Sequence, residues 1–163
     1  PAQRLAQPTA MQAVMQGLFR FAFASLLVGG LAGVAPAAAQ QLCVKAPRAN
    51  LRAGPGTDFR ITWEVNRFMP LVQVAAEGDW RKVKDVDGDI HWIYAELVSD
   101  KLDCVTISAP KANIRKKPST RSDKWFTVEK YTSFKRVGSD DKWVKVEYEG
   151  ETMWIFNTLV WPG

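Results

Sequence analysis

The groups able to do chemistry in this chain are few. There is one histidine, His91, and there are two cysteines, Cys43 and Cys104. Metal enzymes need clustered His, Cys and carboxylate ligands, and this inventory excludes most of them. A Cys–His or Ser–His scheme would rest on a single imidazole for every role. No Gly-rich loop ahead of a helix is present to cradle a phosphate. No cofactor and no metal is therefore expected, and the chemistry that remains is recognition.

The candidate recognition residues are aromatic and basic. Trp80 shares a strand face with Lys82 and Lys84, and Trp143 shares one with Lys145 and Glu147. Trp125 falls opposite Phe126 and Val128. These three are expected to be partly exposed, at a binding surface, at a barrel rim or between repeats. By the same face argument Trp63 is expected in the core, and Trp92 and Trp154 are also assigned there because large aromatics are highly buried on average. Lys116 and Lys117 lie in a basic stretch with Lys111, Arg115, Arg121 and Lys124. An exposed aromatic beside such a loop suits an acidic peptide, an anionic glycan or a lipid headgroup. His91, in a strand beside Trp92, is expected to be structural.

The elements that must position these residues begin after a sorting signal. Phe21 to Val34 is apolar apart from one Ser and three Gly. Arg20 precedes it and Ala35-Pro36-Ala37-Ala38-Ala39 follows. Positive flank, short apolar core and small residues make a secretory signal peptide, with cleavage expected after Ala39. A permanent span needs about 20 apolar residues, and this run is shorter, so no stable membrane span is expected after cleavage. Residues 1–39 are thus read as signal peptide and upstream sequence, and the location as periplasmic or secreted. Their removal takes away Arg4 and Arg20 and no acid. What remains is a mild basic excess rather than a nucleic-acid-binding face.

The remainder is a duplication. Asn50-Leu51-Arg52 recurs as Asn113-Ile114-Arg115. At the same offset Pro55 recurs as Pro118, Val65 as Val128, Val74 as Val137, Trp80 as Trp143 and Val83 as Val146. The offset then shortens by one position, and Gly88, Trp92-Ile93 and Leu97-Val98 recur as Gly150, Trp154-Ile155 and Leu159-Val160. Cys43-Val44 recurs as Cys104-Val105. The expected domains are 43–98 and 104–161, joined by 99–103. Apolar residues alternate in each repeat, as in Ile61, Trp63 and Val65 or Val144 and Val146, which predicts half-buried strands. Turn signals such as Asp87-Gly88 and Glu149-Gly150 separate them. Only Tyr94–Leu97 and Phe156–Leu159 read as helical turns. The prediction is all-β: two small, strongly bent barrels in tandem.

Ala49-Asn50-Leu51-Arg52-Ala53-Gly54-Pro55-Gly56-Thr57 resembles the opening of bacterial SH3-like domains. Trp80-x-x-Val83, the Asp87-Gly88 hairpin, Trp92-Ile93 and closing Leu97 continue the pattern across the first repeat. The second resembles it less closely, with Lys117-Pro118-Ser119 in place of Gly54-Pro55-Gly56, and His91 and Met153 stand where the family usually has Gly. The resemblance implies a non-catalytic exported module associated with the cell wall or with peptide recognition, and it suggests a structural Arg52 and Arg115. Asp103-Cys104 superficially resembles the start of a cysteine peptidase site of cell-wall hydrolases, but those enzymes place a His after the nucleophile and none follows Cys104. An exported chain with two cysteines favours one bridge, Cys43–Cys104, tying the starts of the two repeats.

Two readings of function follow. The first is a non-catalytic binding module of the cell envelope that recognises a peptidoglycan peptide or an envelope protein. The second is a structural or regulatory periplasmic adaptor with no small ligand, in which the tryptophans serve a protein interface or the seam between repeats.

Overall fold

A computed structural model describes residues 39–163 of the chain. The signal-peptide reading of 1–39 lies, but for its last residue, outside the described residues. Two seven-stranded antiparallel sheets follow one another along the chain. The first contains β1 (Gln40–Val44), β2 (Arg48–Arg52), β3 (Ile61–Asn66), β4 (Pro70–Glu77), β5 (Trp80–Lys84), β6 (Ile90–Tyr94) and β7 (Val98–Ser99). The second repeats the plan with β8 (Cys104–Ile107), β9 (Lys111–Arg115), β10 (Lys124–Glu129), β11 (Ser133–Asp140), β12 (Trp143–Tyr148), β13 (Glu151–Phe156) and β14 (Val160–Trp161). The strand order is β3-β2-β6-β5-β4-β1-β7 in one and β10-β9-β13-β12-β11-β8-β14 in the other, position for position the same. The expected helical turns are single 3-10 turns at Ala95–Leu97 and Asn157–Leu159.

Each sheet must curl on itself, because strands from across it contribute to a single core. Leu42, Val44, Ala49, Leu51, Val65, Leu71, Val83, Ile93 and Val98 meet in the first repeat. Val105, Ile107, Ala112, Ile114, Phe134, Val144, Val146, Met153, Ile155 and Val160 meet in the second. Register breaks help the bend: the ladder shifts between Gln73 and Ala75 and again, at the equivalent point of the second repeat, between Arg136 and Gly138. A bulge of this kind increases local twist and lets a strand turn a corner.

The hairpins differ in length. In the second repeat Glu149 and Gly150 both have positive φ, 52° and 83°, as a short turn of the primed type requires. In the first, Asp85 N–H donates to the Asp89 carbonyl across a longer loop, and Gly88 takes the left-handed position at φ 92°.

The repeats are held to each other covalently and by a small polar seam. Cys43 and Cys104 form a disulfide, their Cα atoms 6.0 Å apart. Lys130 and Tyr131, at the bend between β10 and β11, reach the β5–β6 hairpin of the first repeat. Lys130 Nζ and the Tyr131 hydroxyl each donate to the Asp87 carboxylate at 2.6 Å.

Two expectations about tryptophan need correcting. Trp92 and Trp154 do not enter the cores; both are half-buried on the outer face, with Lys82 Nζ and Lys145 Nζ 5.8 and 5.6 Å from their ring centroids. Strand alternation is the cause, since Ile93 and Ile155 point inward and their neighbours must point out. Trp63 packs against the first core but is only partly buried.

Candidate functional site

A groove of about 650 Å³ lies on the first repeat. Its floor comes from β2, one wall from the loop after β2, and the other from an aromatic pair on the β5–β6 hairpin. Trp80 opens β5 and Tyr94 closes β6, and hairpin pairing sets them opposite each other. Their rings meet edge-on, centroids 5.8 Å apart and planes at 60°.

The loop wall is built by two local devices. The Arg52 guanidinium donates to the carbonyls of Thr57 and Phe59 at 2.9 and 2.7 Å, drawing the loop back over β2. Gly54 lies under the Phe59 ring; a Cβ there would fall 2.4 Å from ring carbons. The Asn-Leu-Arg-Ala-Gly sequence is thus a loop clamp, and Arg115 repeats it by donating to the Ser122 carbonyl at 2.6 Å.

Both signs of charge line the groove: Arg48 and Arg52, with Asp58 and Glu64. Arg48 and Glu64 face each other at 3.5 Å and are both well exposed. At the corresponding positions of the second repeat stand Lys111, Arg115, Arg121 and Thr127, all basic but the last. The two repeats therefore present different chemistry on one scaffold.

The candidate residues named from the sequence are not brought together. Trp80 lines the groove. Trp125 lies on the second repeat, 44% exposed, with Lys116 Nζ 5.8 Å from its ring centroid. Lys117 is exposed in the same loop, its backbone N–H donating to Ser122 Oγ. Trp143 corrects the expectation of exposure. It is only 8% exposed, because Phe156, opposite it across the hairpin, covers it edge-on at 5.3 Å. Tyr94, Asp58 and Glu64 are not singled out by the sequence reading. Counting outward from the Asp87-Gly88 hairpin pairs Tyr94 with Trp80, whereas the two acids gather only once the loop folds back.

His91 is buried and fully used. Its Nδ1 pairs with Thr62 Oγ1 at 2.8 Å and its Nε2 with Asp85 Oδ2 at 3.1 Å. The other Asp85 oxygen accepts the backbone N–H groups of Asp87 and Asp89, both at 2.9 Å. Among the described residues no group of three or more His, Cys, Asp or Glu side chains could hold a metal ion, and no helix is long and apolar enough to cross a membrane.

The tandem architecture agrees with two family matches. Two family models, each described as a bacterial SH3 domain, match residues 45–100 and 110–160. A protein of Bacillus subtilis (strain 168), named "Putative N-acetylmuramoyl-L-alanine amidase YrvJ", is 24% identical over 137 residues, which are 78% of this chain and 26% of that protein. The chain thus spans about a quarter of the length of that relative. Among solved structures, NlpC1 from Trichomonas vaginalis aligns with 77% of this chain and 46% of its own, at 12% identity and a TM-score of 0.35. The endolysin LysPBC5 CBD aligns over 77% of this chain and 95% of its own, at 16% identity and a TM-score of 0.31.

Proposed function

The chain belongs to the bacterial SH3 domain family, and from that premise we propose that it is a non-catalytic binding module of the cell envelope whose first repeat takes a short cell-wall peptide in the Trp80–Tyr94 groove. The groove itself carries this reading. An aromatic pair offers a flat apolar surface for a peptide backbone or small side chain. The exposed Arg48–Glu64 pair, with Asp58 nearby in the lining, offers both signs of charge and suits a ligand with both carboxylate and amine groups, which a peptidoglycan stem peptide has. The ligand-sized opening with a few polar groups is the usual form of a small-molecule or peptide site.

Three further facts support the setting. The disulfide fits an oxidising compartment outside the cytoplasm. The single His is held by Thr62 and Asp85, and both cysteines are spent in the bridge. The Bacillus subtilis relative bears the name "Putative N-acetylmuramoyl-L-alanine amidase YrvJ". The expected division of labour is a signal at 1–39 that sends the chain out, a ligand-binding repeat at 43–98, and a second repeat at 104–161 with its own, more basic surface.

The test is co-sedimentation of the purified protein with purified peptidoglycan at low and high salt, together with a Trp80→Ala variant. Retention that survives moderate salt and falls with Trp80→Ala supports the reading. Absence of retention at any salt, or retention indifferent to Trp80, overturns it.

A further inference from the structure

Each half of the seam between the two repeats has a counterpart elsewhere on the tandem. The donor side of the seam is the bend after β10. Lys130 lies over the Tyr131 ring, Nζ 4.7 Å from the centroid, and Tyr131 sits in the left-handed region at φ 69°. The acceptor side is on the first repeat: the Trp63 ring, which Tyr131 meets edge-on at 5.0 Å, and the Asp87 carboxylate.

The donor tip exists twice. Arg67 and Phe68 hold the equivalent positions of the first repeat. The Arg67 guanidinium lies 5.0 Å over the Phe68 ring, and Phe68 has φ 66°. Left-handed φ is uncommon for a bulky residue and persists only where the surroundings enforce it. The same bonds enforce it in both: Phe68 N–H to the Val44 carbonyl at 2.8 Å, and Tyr131 N–H to the Ile107 carbonyl at 2.9 Å.

The acceptor face also exists twice. Phe126 replaces Trp63, and Glu149 replaces Asp87. Where Thr62 and His91 make polar contacts in the first repeat, the second has Trp125 and Met153. The result is an aromatic-lined cleft of about 190 Å³, comparable to the roughly 210 Å³ beside Tyr131 at the seam. Its rim residues Trp125 and Tyr148 are 44% and 46% exposed.

We propose that a second copy of this chain docks its Arg67–Phe68 tip on the Phe126–Tyr148–Glu149 face of the second repeat, repeating between molecules the contact that joins the repeats within one. Phe68 enters against Phe126 as Tyr131 does against Trp63, and Arg67 meets Glu149 as Lys130 meets Asp87. Cation and carboxylate match at both contacts. Donor and acceptor lie on different repeats, so the association is head to tail and extends by addition of further copies. The contact is small, and small interfaces are weak and concentration-dependent.

Sedimentation velocity of the purified exported protein over a wide concentration range tests this, with Arg67→Glu, Glu149→Arg and the double variant. Both side chains are exposed, so the fold is not at risk from the exchange. The expected result is a sedimentation coefficient that rises with concentration, association weakened at least about tenfold by either single reversal, and recovery in the double variant. A monomer at all concentrations overturns the proposal. So does association indifferent to the two charges, or Trp125 fluorescence that responds to cell-wall fragments while the protein stays monomeric.

Discussion

Tyr131 meets Trp63 edge-on, ring planes at 72°, although the two residues belong to different repeats. The same tyrosine and its neighbour Lys130 fix the titration of Asp87. The Lys130 hydrogen bond first, and the Tyr131 hydrogen bond second, hold the Asp87 carboxyl below its ordinary value of 3.8. In return the Asp87 hydrogen bond raises Lys130 above 10.5. A depressed carboxyl stabilises the seam above its unfolded value, and that contribution is lost as pH falls through the lower folded value. A raised amine contributes fully below 10.5 and loses its effect as pH rises through the folded value. The seam is therefore expected to stay closed across the neutral range and to loosen at the acid end. Carboxyl titration by NMR checks this: Lys130→Ala should move Asp87 back up toward 3.8, and an unmoved titration would count against the contact.

Trp80 and Trp143 occupy equivalent positions in the two repeats but should answer differently to truncation. Trp143 is covered by Phe156, and Trp143→Ala is expected to cost about 3 kcal/mol. Trp80 is half-buried at the groove, so Trp80→Ala should cost less stability and more ligand retention. Urea unfolding of both variants, read beside peptidoglycan retention, separates the two effects.

Reducing the chain, or replacing both Cys43 and Cys104 with Ser, should destabilise the first repeat by about 4 kcal/mol, from the entropy of closing its long loop. A melting temperature unchanged in the double variant would contradict this.

Asp85 carries more of the hairpin than His91 does. Its carboxylate accepts two backbone N–H groups as well as bonding the imidazole. Asp85→Ala strands those donors, at a cost of about 1–3 kcal/mol. His91→Met adopts the residue the second repeat uses at this position and should cost less. Chemical denaturation of the two variants ranks them.

The amino-acid pattern makes much of this legible. Duplication shows itself because turns and tryptophans recur at nearly fixed spacing. The bridge follows from two cysteines in an exported chain, not from matched positions: the ladders set Cys43 opposite Pro70 but Cys104 opposite Lys135, so Cys104 stands where the first repeat has Gln41. Faces are readable where aliphatic residues alternate along an unbroken ladder, as with Val144 and Val146, but not at Ile61, which is 50% exposed where the β2–β3 register shifts. Trp92 and Trp154 escape the reading when average burial is set above parity with Ile93 and Ile155. Trp143 escapes it because its cover, Phe156, comes from across the hairpin. The seam is illegible for a deeper reason. Asp87 lies far along the chain from Lys130 and Tyr131, and no local period records that meeting.

The bridge between β1 and β8 also has a mechanical meaning. Tension applied between Cys43 and Cys104 runs through the sulfur–sulfur bond and not through the chain of the first repeat between them. About 200 Å of contour is thereby kept out of the load path. The groove of Trp80 and Tyr94 lies within that shielded stretch.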